Sequence, residues 1–369
     1  MAFEETVFVT GFPGFIAARL IDRLAADGAR LILLVQPDFV ERAKQDLSRL
    51  SRDYDQFRIV VGDITQKDLG LSLEDQTLVR SEATVVFHLA AVYDLAVKRD
   101  LAMHVNLQGT KNVNDFVRSL PHLKRYHYVS TCYVAGKRKG VIRENELRAD
   151  TEFRNYYEES KCLAELEVQA LKSSLPVTIH RPAVVVGDSR TGETAKFDGI
   201  YYLINYLLRM PRFVSLLNIG NQKVSLNLVP VDFVVDAMVA LAHDERSIGE
   251  TVQIADPAPL STHDLFNALA MQINGSGSRI SLPKSWINLG LVLPLAPVLT
   301  RLPRNAVPYF FLRQTYDTSR LTALLAPHGV RCPPFPSYVG AIVNYAAKKM
   351  FPEKPGLMLS PPRSRSLGA

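Results

Sequence analysis

A tyrosine and a lysine four residues apart are the first side chains in this sequence able to do chemistry together. Tyr157 and Lys161 stand in the run Asn155-Tyr156-Tyr157-Glu158-Glu159-Ser160-Lys161. The surrounding residues, 151–175, read as a helix, so the two side chains lie one turn apart on one face. Tyr157, Lys161, Ala164, Val168, Leu171 and Leu175 recur at helical spacing, which makes that face apolar except at its start. An ammonium beside a phenol favours the phenolate, so the spacing predicts a Tyr157 hydroxyl below its ordinary pKa of about 10. Such a group gives a proton to a carbonyl oxygen or takes one from an alcohol. Tyr156 lies five residues from Lys161 and is excluded from the pair.

The spacing alone is a weak signal, because Tyr-x-x-x-Lys occurs three times: Tyr133/Lys137, Tyr157/Lys161 and Tyr345/Lys349. The first spans Gly136 where a strand ends, so its side chains need not share a face. The last falls in an amphipathic stretch, where a solvated lysine beside a packed tyrosine is the plain reading. Only the elements around the middle pair can distinguish it.

Those elements alternate. Apolar, β-rich runs at 6–10, 31–35, 58–61, 84–88, 126–130 and 177–186 are each followed by a turn or a helical stretch, at 18–26, 41–50, 101–120 and in the Tyr157 segment. Strands that are apolar throughout and alternate with helices imply a parallel sheet covered on both faces, an α/β, Rossmann-like, doubly wound fold. After Gly187 the rhythm breaks. A helical stretch at 200–208 and a strand at 224–229 follow, then a helix to Leu241 with Asp232 as its expected N-cap after Pro230. A strand at 251–254, a helix at 262–271 and a proline-punctuated apolar region at 283–312 complete the series. The expected organisation is a core over 1–190, joined by strands around 224–255. A mostly helical, C-terminal substrate-binding cap over 191–350 is interleaved with it, above the carboxyl edge of the sheet, and 351–369 reads as a disordered tail.

The first strand runs straight into Thr10-Gly11-Phe12-Pro13-Gly14-Phe15-Ile16-Ala17, which opens a helix. That is the setting a dinucleotide turn requires: Gly11 for the tight bend, Gly14 for backbone approach to a pyrophosphate, and small Ala17 for close helix–strand packing. The second strand ends Leu34-Val35-Gln36-Pro37-Asp38. An acidic residue there favours NAD(H) and an arginine favours NADP(H). Gln36 is neither, Asp38 lies beyond a proline, and Arg42 and Lys44 are close by, so NADP(H) is favoured over NAD(H).

Composition excludes other classes. The chain has 369 residues, 47% hydrophobic and 22% charged, with a formal charge of +6 that is dispersed. No basic run interleaved with aromatics points to nucleic acid. Cys132, Cys162 and Cys332 are odd in number and lack metal-ligand spacing, so no metal site is expected and a reducing, cytoplasmic setting is. The acidic start gives no signal peptide, and no run of 18 apolar residues is present to span a bilayer. The 286–312 stretch, with Arg301, Arg304 and Arg313 nearby, is compatible with a peripheral membrane patch, but a buried cap core is the plainer reading.

Taken in order, Thr10-Gly11-Phe12-Pro13-Gly14-Phe15, Gly62-Asp63-Ile64, His88-Leu89-Ala90-Ala91, Asn106, Val129-Ser130-Thr131, Tyr157/Lys161 and Arg181-Pro182 resemble an extended short-chain dehydrogenase/reductase over about residues 5–255. The run from Arg181 through Val185 and Gly187-Asp188-Ser189-Arg190-Thr191-Gly192-Glu193 is similar to fatty acyl-CoA reductases and to thioester-releasing reductase domains, as is Asn227-Leu228-Val229-Pro230-Val231-Asp232. That group often carries arginine where Gln36 stands. The resemblance implies catalytic Thr131, Tyr157 and Lys161, with Lys161 also holding the nicotinamide ribose. It implies cofactor contacts from Thr10, Gly11, Phe12, Pro13, Gly14, Phe15, Ile16, Gln36, Asp63, Ile64, Ala90, Ala91, Asn106, Tyr157, Lys161, Pro182 and Val185. Asp63 would meet the adenine, the Ala90-Ala91 turn would pass the ribose, and Asn106 would brace sheet and site. Alignment on Val134-Ala135-Gly136 points to Thr131 rather than Ser130. His88 and His180 read as buried structural residues.

The implied reaction is carbonyl reduction by NAD(P)H, foremost of a fatty acyl thioester to aldehyde or alcohol, so the partner is a small molecule or a lipid thioester. A dehydrogenase/reductase acting on a steroid, flavonoid or nucleotide-sugar alcohol or ketone is the alternative, and a non-catalytic cofactor sensor the third. The sequence leaves a homo-oligomer open.

Overall fold

The computed structural model describes residues 5–50, 54–209, 217–218, 220–278, 280–281, 309 and 311–352. The strands used below are β1 (Thr6–Thr10), β2 (Arg30–Val35), β3 (Phe57–Val61), β4 (Val85–His88), β5 (Arg125–Val129), β6 (Val177–Pro182), β7 (Val184–Val186), β8 (Leu228–Pro230) and β9 (Thr251–Ile254). The helices are α1 (Phe15–Ala26), α2 (Val40–Ser48), α3 (Leu73–Glu82), α4 (Arg99–Ala102), α5 (Gly109–Arg118), α6 (Tyr156–Gln169), α7 (Ile200–Arg209), α8 (Val231–Ala242), α9 (Thr262–Asn274), α10 (Ser319–Leu325) and α11 (Phe335–Met350).

Seven strands form one sheet in the order β9-β6-β5-β4-β1-β2-β3, every pair parallel. The order reverses between β4 and β1, and open α/β sheets bind ligands at that crevice. Parallel strands need crossovers, and the helical stretches between strands supply them. One face buries Phe8, Ile32, Leu34, Val86, Tyr126 and Tyr128 against Val79 of α3, Val113, Phe116 and Val117 of α5, and Ala164 and Val168 of α6. This is the apolar stripe that follows the Tyr157/Lys161 pair in sequence.

The chain divides into two compact units. Met1–Ala183, Phe233–Ile254 and Tyr316–Arg331 make the first, and Val184–Asp232, Ala255–Thr315 and Cys332–Ala369 the second. The expected single strand over 177–186 is thus two strands that part at Ala183. β6 stays in the large sheet, while β7 pairs in parallel with β8 in a two-stranded sheet of the second unit. The strand expected at 224–229 therefore does not extend the large sheet, whereas β9 forms its edge beside β6. The second unit's core joins α7, α9 and α11 through Ile200, Tyr201, Ile204, Leu265, Phe266, Leu269, Tyr338, Ile342 and Val343.

Two further expectations change. The helix expected over 101–120 is α4, a π-helical turn over Met103–Gln108, then α5. Asp232 does not cap α8; it lies in the helix's first turn and accepts hydrogen bonds from the backbone N–H (2.8 Å) and hydroxyl (2.5 Å) of Ser189. The apolar region at 283–312 lies almost wholly outside the described residues, as does the tail beyond Pro352. No helix among the described residues is long and apolar enough to cross a membrane.

Candidate active site

The turn after β1 shows why its glycines are there. Gly11 has φ +94°, and a Cβ on it would lie 2.7 Å from the Ala90 backbone nitrogen. The turns after β1 and β4 therefore press together at the reversal of strand order. The Gly14 N–H donates to the Gly11 carbonyl at 2.8 Å, and a Cβ at Gly14 would stand 2.6 Å from that oxygen. Helix α1 starts with no side-chain cap and no acidic residue in its first turn, so its leading N–H groups and its dipole are left for an anion. Gly14 is exposed, Phe15 and Ile16 are half-buried, and Phe12, Pro13 and Ala17 are buried behind them. These residues fit a dinucleotide pyrophosphate. Thr10 serves the turn from inside: buried, it accepts the Ala90 N–H at 3.2 Å and bonds His88 Nδ1 at 2.7 Å.

At the neighbouring strand ends, Gln36 Nε2 donates to Asp63 at 2.9 Å, and the other Asp63 oxygen accepts the Thr65 N–H at 2.8 Å. Ile64 is buried under α5, where Gly109 leaves it room. Ala90 is half-buried and Ala91 exposed. Asn106 sits in the π-helical turn, a feature common at functional sites. Its amide accepts the Val92 N–H (2.8 Å) and donates to the Val92 carbonyl (3.3 Å) and the Ser160 hydroxyl (3.0 Å). It ties the segment after β4 to α6.

Helix α6 is set in place by its cap. Asn155, in extended conformation, accepts the Glu158 N–H at 3.0 Å, so the helix begins at Tyr156 and not at 151, where the helical segment was expected to start. This puts Tyr157 in the first turn with its ring edge-on to Tyr93, centroids 5.2 Å apart. At the end of β5, successive side chains point to opposite sides. Ser130 turns to Glu165 at 2.5 Å, within an ion pair in which Arg181 donates to Glu165 at 2.6 Å. Thr131 is instead set to act on the Tyr157 hydroxyl, and its own oxygen accepts the Tyr133 N–H at 3.2 Å.

Lys161 is buried. Its ammonium donates to Tyr128 Oη at 2.8 Å and to the Val129 carbonyl at 2.9 Å, 4.4 Å from the centre of the Tyr128 ring. Burial pushes it down to about 7, opposed by the Glu165 carboxylate. The Tyr157 hydroxyl is also governed by burial, which raises it well above the ordinary phenol range; the Thr131 hydrogen bond opposes this and Glu158 adds to it. The expected lowering of Tyr157 by Lys161 is therefore corrected. Dehydration governs the phenol, and the ammonium donates to Tyr128 and Val129 of β5. A tyrosine so placed keeps its proton at neutral pH and suits proton donation.

The structure thus gathers Thr131, Tyr157, Lys161 and Asn106 around the ends of β4 and β5, and Gly11 to Ile16 around the end of β1. Pro182 is buried at the end of β6, while Val185 is half-buried in the second unit. His88 and His180 are both buried and each is pushed down to about 3, chiefly by burial; His180 bonds His127 at 3.0 Å. Sequence reasoning missed Tyr128, Tyr93 and the Glu165–Arg181 pair. Tyr128 was reachable: it lies two residues before Ser130 on a strand, hence on the face turned to α6.

Three comparisons bear on this site. The family model described as male sterility protein, an NAD-binding model, matches residues 9–238. The fatty acyl-CoA reductase wat of Drosophila melanogaster is 25% identical over 300 residues, covering 69% of this chain and 57% of that protein. The non-canonical nonribosomal peptide synthetase cpsA of Aspergillus campestris is 26% identical over 330 residues, covering 81% of this chain and 31% of that protein. This chain therefore spans between about a third and somewhat over half of such relatives. Among solved structures, the terminal R domain from the myxalamid PKS-NRPS biosynthetic pathway superposes with a TM-score of 0.80 at 25% identity, covering 95% of this chain and 92% of that one.

Proposed function

The chain belongs to the male sterility protein family, within the extended short-chain dehydrogenases/reductases, and from that premise we propose that it reduces a fatty acyl thioester, bound to coenzyme A or a carrier, to the aldehyde or alcohol. The observation that carries the reading is the buried Thr131–Tyr157–Lys161 cluster at the end of β5, beside a glycine turn that fits a dinucleotide. The relatives supply the substrate class, since one is named a fatty acyl-CoA reductase and another a nonribosomal peptide synthetase.

The nicotinamide, when bound, supplies the hydride. The chain's own residues do the rest. The N–H groups opening α1 bind the pyrophosphate, and Lys161, with Tyr128 and Val129 fixing two of its donors, turns the third to the nicotinamide ribose. Tyr157 and Thr131 hydrogen-bond the substrate oxygen where negative charge develops, and Tyr157 gives it a proton. With a thioester, the carbon–sulfur bond of the tetrahedral adduct breaks, the thiol leaves with a proton and an aldehyde remains; reduction of that aldehyde by a second equivalent gives the alcohol. Tyr93, edge-on to Tyr157, forms an aromatic wall beside the reacting oxygen.

NADP(H) is the preferred cofactor in this reading. Gln36 is engaged by Asp63, Asp38 is exposed, and the Arg42 guanidinium donates to the Pro13 carbonyl at 3.4 Å, beside the dinucleotide turn. A cation there favours a 2′-phosphate. The test is oxidation of NADPH and of NADH with long-chain acyl-CoAs, aldehydes, sterol ketones and nucleotide sugars. Turnover of acyl-CoA with NADPH is expected; turnover confined to ketones or sugars would replace the substrate assignment.

A further inference from the structure

Behind the reaction centre lies a row of polar groups: Lys161, Tyr128, Thr110, His88, Thr10 and the Ala90 backbone. Lys161 Nζ donates to Tyr128 Oη at 2.8 Å, and Thr110, whose side chain acts on the Tyr128 hydroxyl, lies with Oγ1 3.1 Å from His88 Nε2; His88 Nδ1 lies 2.7 Å from Thr10 Oγ1, which accepts the Ala90 N–H at 3.2 Å. Apart from Ala90, every member is buried.

The protons in this row have a single consistent arrangement, assigned from the groups that can only donate or only accept. The Asn106 carbonyl can only accept, and Thr110 Oγ1 lies 2.6 Å from it, so the one Thr110 hydroxyl proton goes there. Thr110 must then accept from His88 Nε2, and it has no proton left to give Tyr128. His88 is therefore the neutral Nε2–H tautomer, whose Nδ1 accepts from Thr10, and Thr10 in turn accepts from Ala90. Lys161 can only donate, so Tyr128 Oη accepts from it and its own proton turns away from the ammonium, on the side of Thr110. With every proton placed, the Tyr128 lone pairs face Lys161.

We propose that Tyr128 is a positioning residue for Lys161, and that Thr110, His88 and Thr10 lock its hydroxyl and tie it to the turn after β4. The inference rests on the reading that Lys161 holds the cofactor ribose. It adds that the lysine's direction is set from beneath by β5, because ring and hydroxyl together fix where the third ammonium donor points. The titratable groups acting on Lys161 are Glu165 on α6, Tyr128 on β5 and His88 on β4. Glu165 is taken by Arg181 and Ser130, so loss of the Tyr128 oxygen falls on the ammonium itself.

The test uses the full chain. Tyr128→Phe keeps the ring but removes the oxygen; Thr110→Val removes the acceptor that orients the Tyr128 hydroxyl, and Thr110→Ser restores it. An oxygen that accepts from the ammonium favours its charged form. In Tyr128→Phe the Lys161 titration, followed by NMR of its Cε signal, is therefore expected at lower pH than in wild type. NADPH binding, read by fluorescence, should weaken by about tenfold, and kcat should fall while the KM for the carbonyl substrate holds. Thr110→Val should shift both readouts the same way by less, with Thr110→Ser returning them to wild type. A Lys161 titration and NADPH affinity unchanged in Tyr128→Phe, in a protein that still reduces its substrate, would overturn the proposal and leave the reductase reading standing. If the wild type bound NADPH but reduced nothing, the reductase reading would fall and the lysine titration would still decide the role of Tyr128. Should Tyr128→Phe not fold, an unshifted titration in Thr110→Val overturns the proposal.

Discussion

Helices α6 and α11 carry the same Tyr-x-x-x-Lys spacing and opposite chemistry. On α11, Lys349 is exposed in the last turn, its ammonium 5.8 Å from the centre of the Tyr345 ring, which stacks on Phe197. A lysine at a helix C-terminus in water gains from the dipole and loses no hydration. On α6 the lysine sits over β5 and is dehydrated, held by Tyr128 and Val129. Helical geometry gives both pairs a common face; what it cannot give is dehydration, which here comes from the strand beneath. The third pair makes the same point, since Lys137 is exposed and bridges to Glu152 at 2.9 Å. A buried pair of this kind is thus a helix spacing plus an interior strand beneath it.

The contrast can be broken by removing the same atoms from each helix. Tyr157→Phe should lower turnover by about 10²–10⁴-fold, the usual worth of a positioned proton donor, with NADPH affinity nearly intact. Tyr345→Phe should leave turnover unchanged. Equal losses in initial-rate assays would mean that burial does not separate the two pairs. A smaller effect is expected from Lys161→Ala, which should weaken NADPH binding and turnover together, against no change in either for Lys349→Ala. Titration calorimetry with NADPH reads the first and initial rates the second; unchanged affinity in Lys161→Ala counts against its ribose role. The smallest effect tests how α6 is placed. Asn155→Ala removes the cap and should destabilise the protein by about 1 kcal/mol in urea unfolding. No loss would show that packing alone sets the start of the helix.

Much of this architecture was legible in the sequence because parallel strands buried on both faces read as unbroken apolar runs. The strands β4, β1 and β2 come closest to such runs, and the glycine turn sits where the strand-to-helix change put it. What escaped has physical reasons. The break at Ala183 falls inside one run, 177–186, with no glycine to mark it. The π-helical turn at Met103–Gln108 keeps a helical pattern while shifting its phase, which places Asn106 against Val92 and Ser160. At the candidate site, Thr131 and Ser130 differ by which side of an extended strand end they face, which follows once the strand is phased. The direction of the Tyr157 shift did not follow, because burial is a property of packing around a site, and spacing carries only the neighbouring charge.

The central claim is that the Thr131–Tyr157–Lys161 centre delivers reducing equivalents to an acyl thioester carbon. The most direct measurement follows deuterium from NADPH, labelled at its transferable position, into product formed from a long-chain acyl-CoA, by mass spectrometry. The account requires deuterium on the aldehyde or alcohol carbon and release of free coenzyme A, both lost in Tyr157→Phe. Unlabelled product, or labelled product formed equally by Tyr157→Phe, would contradict it.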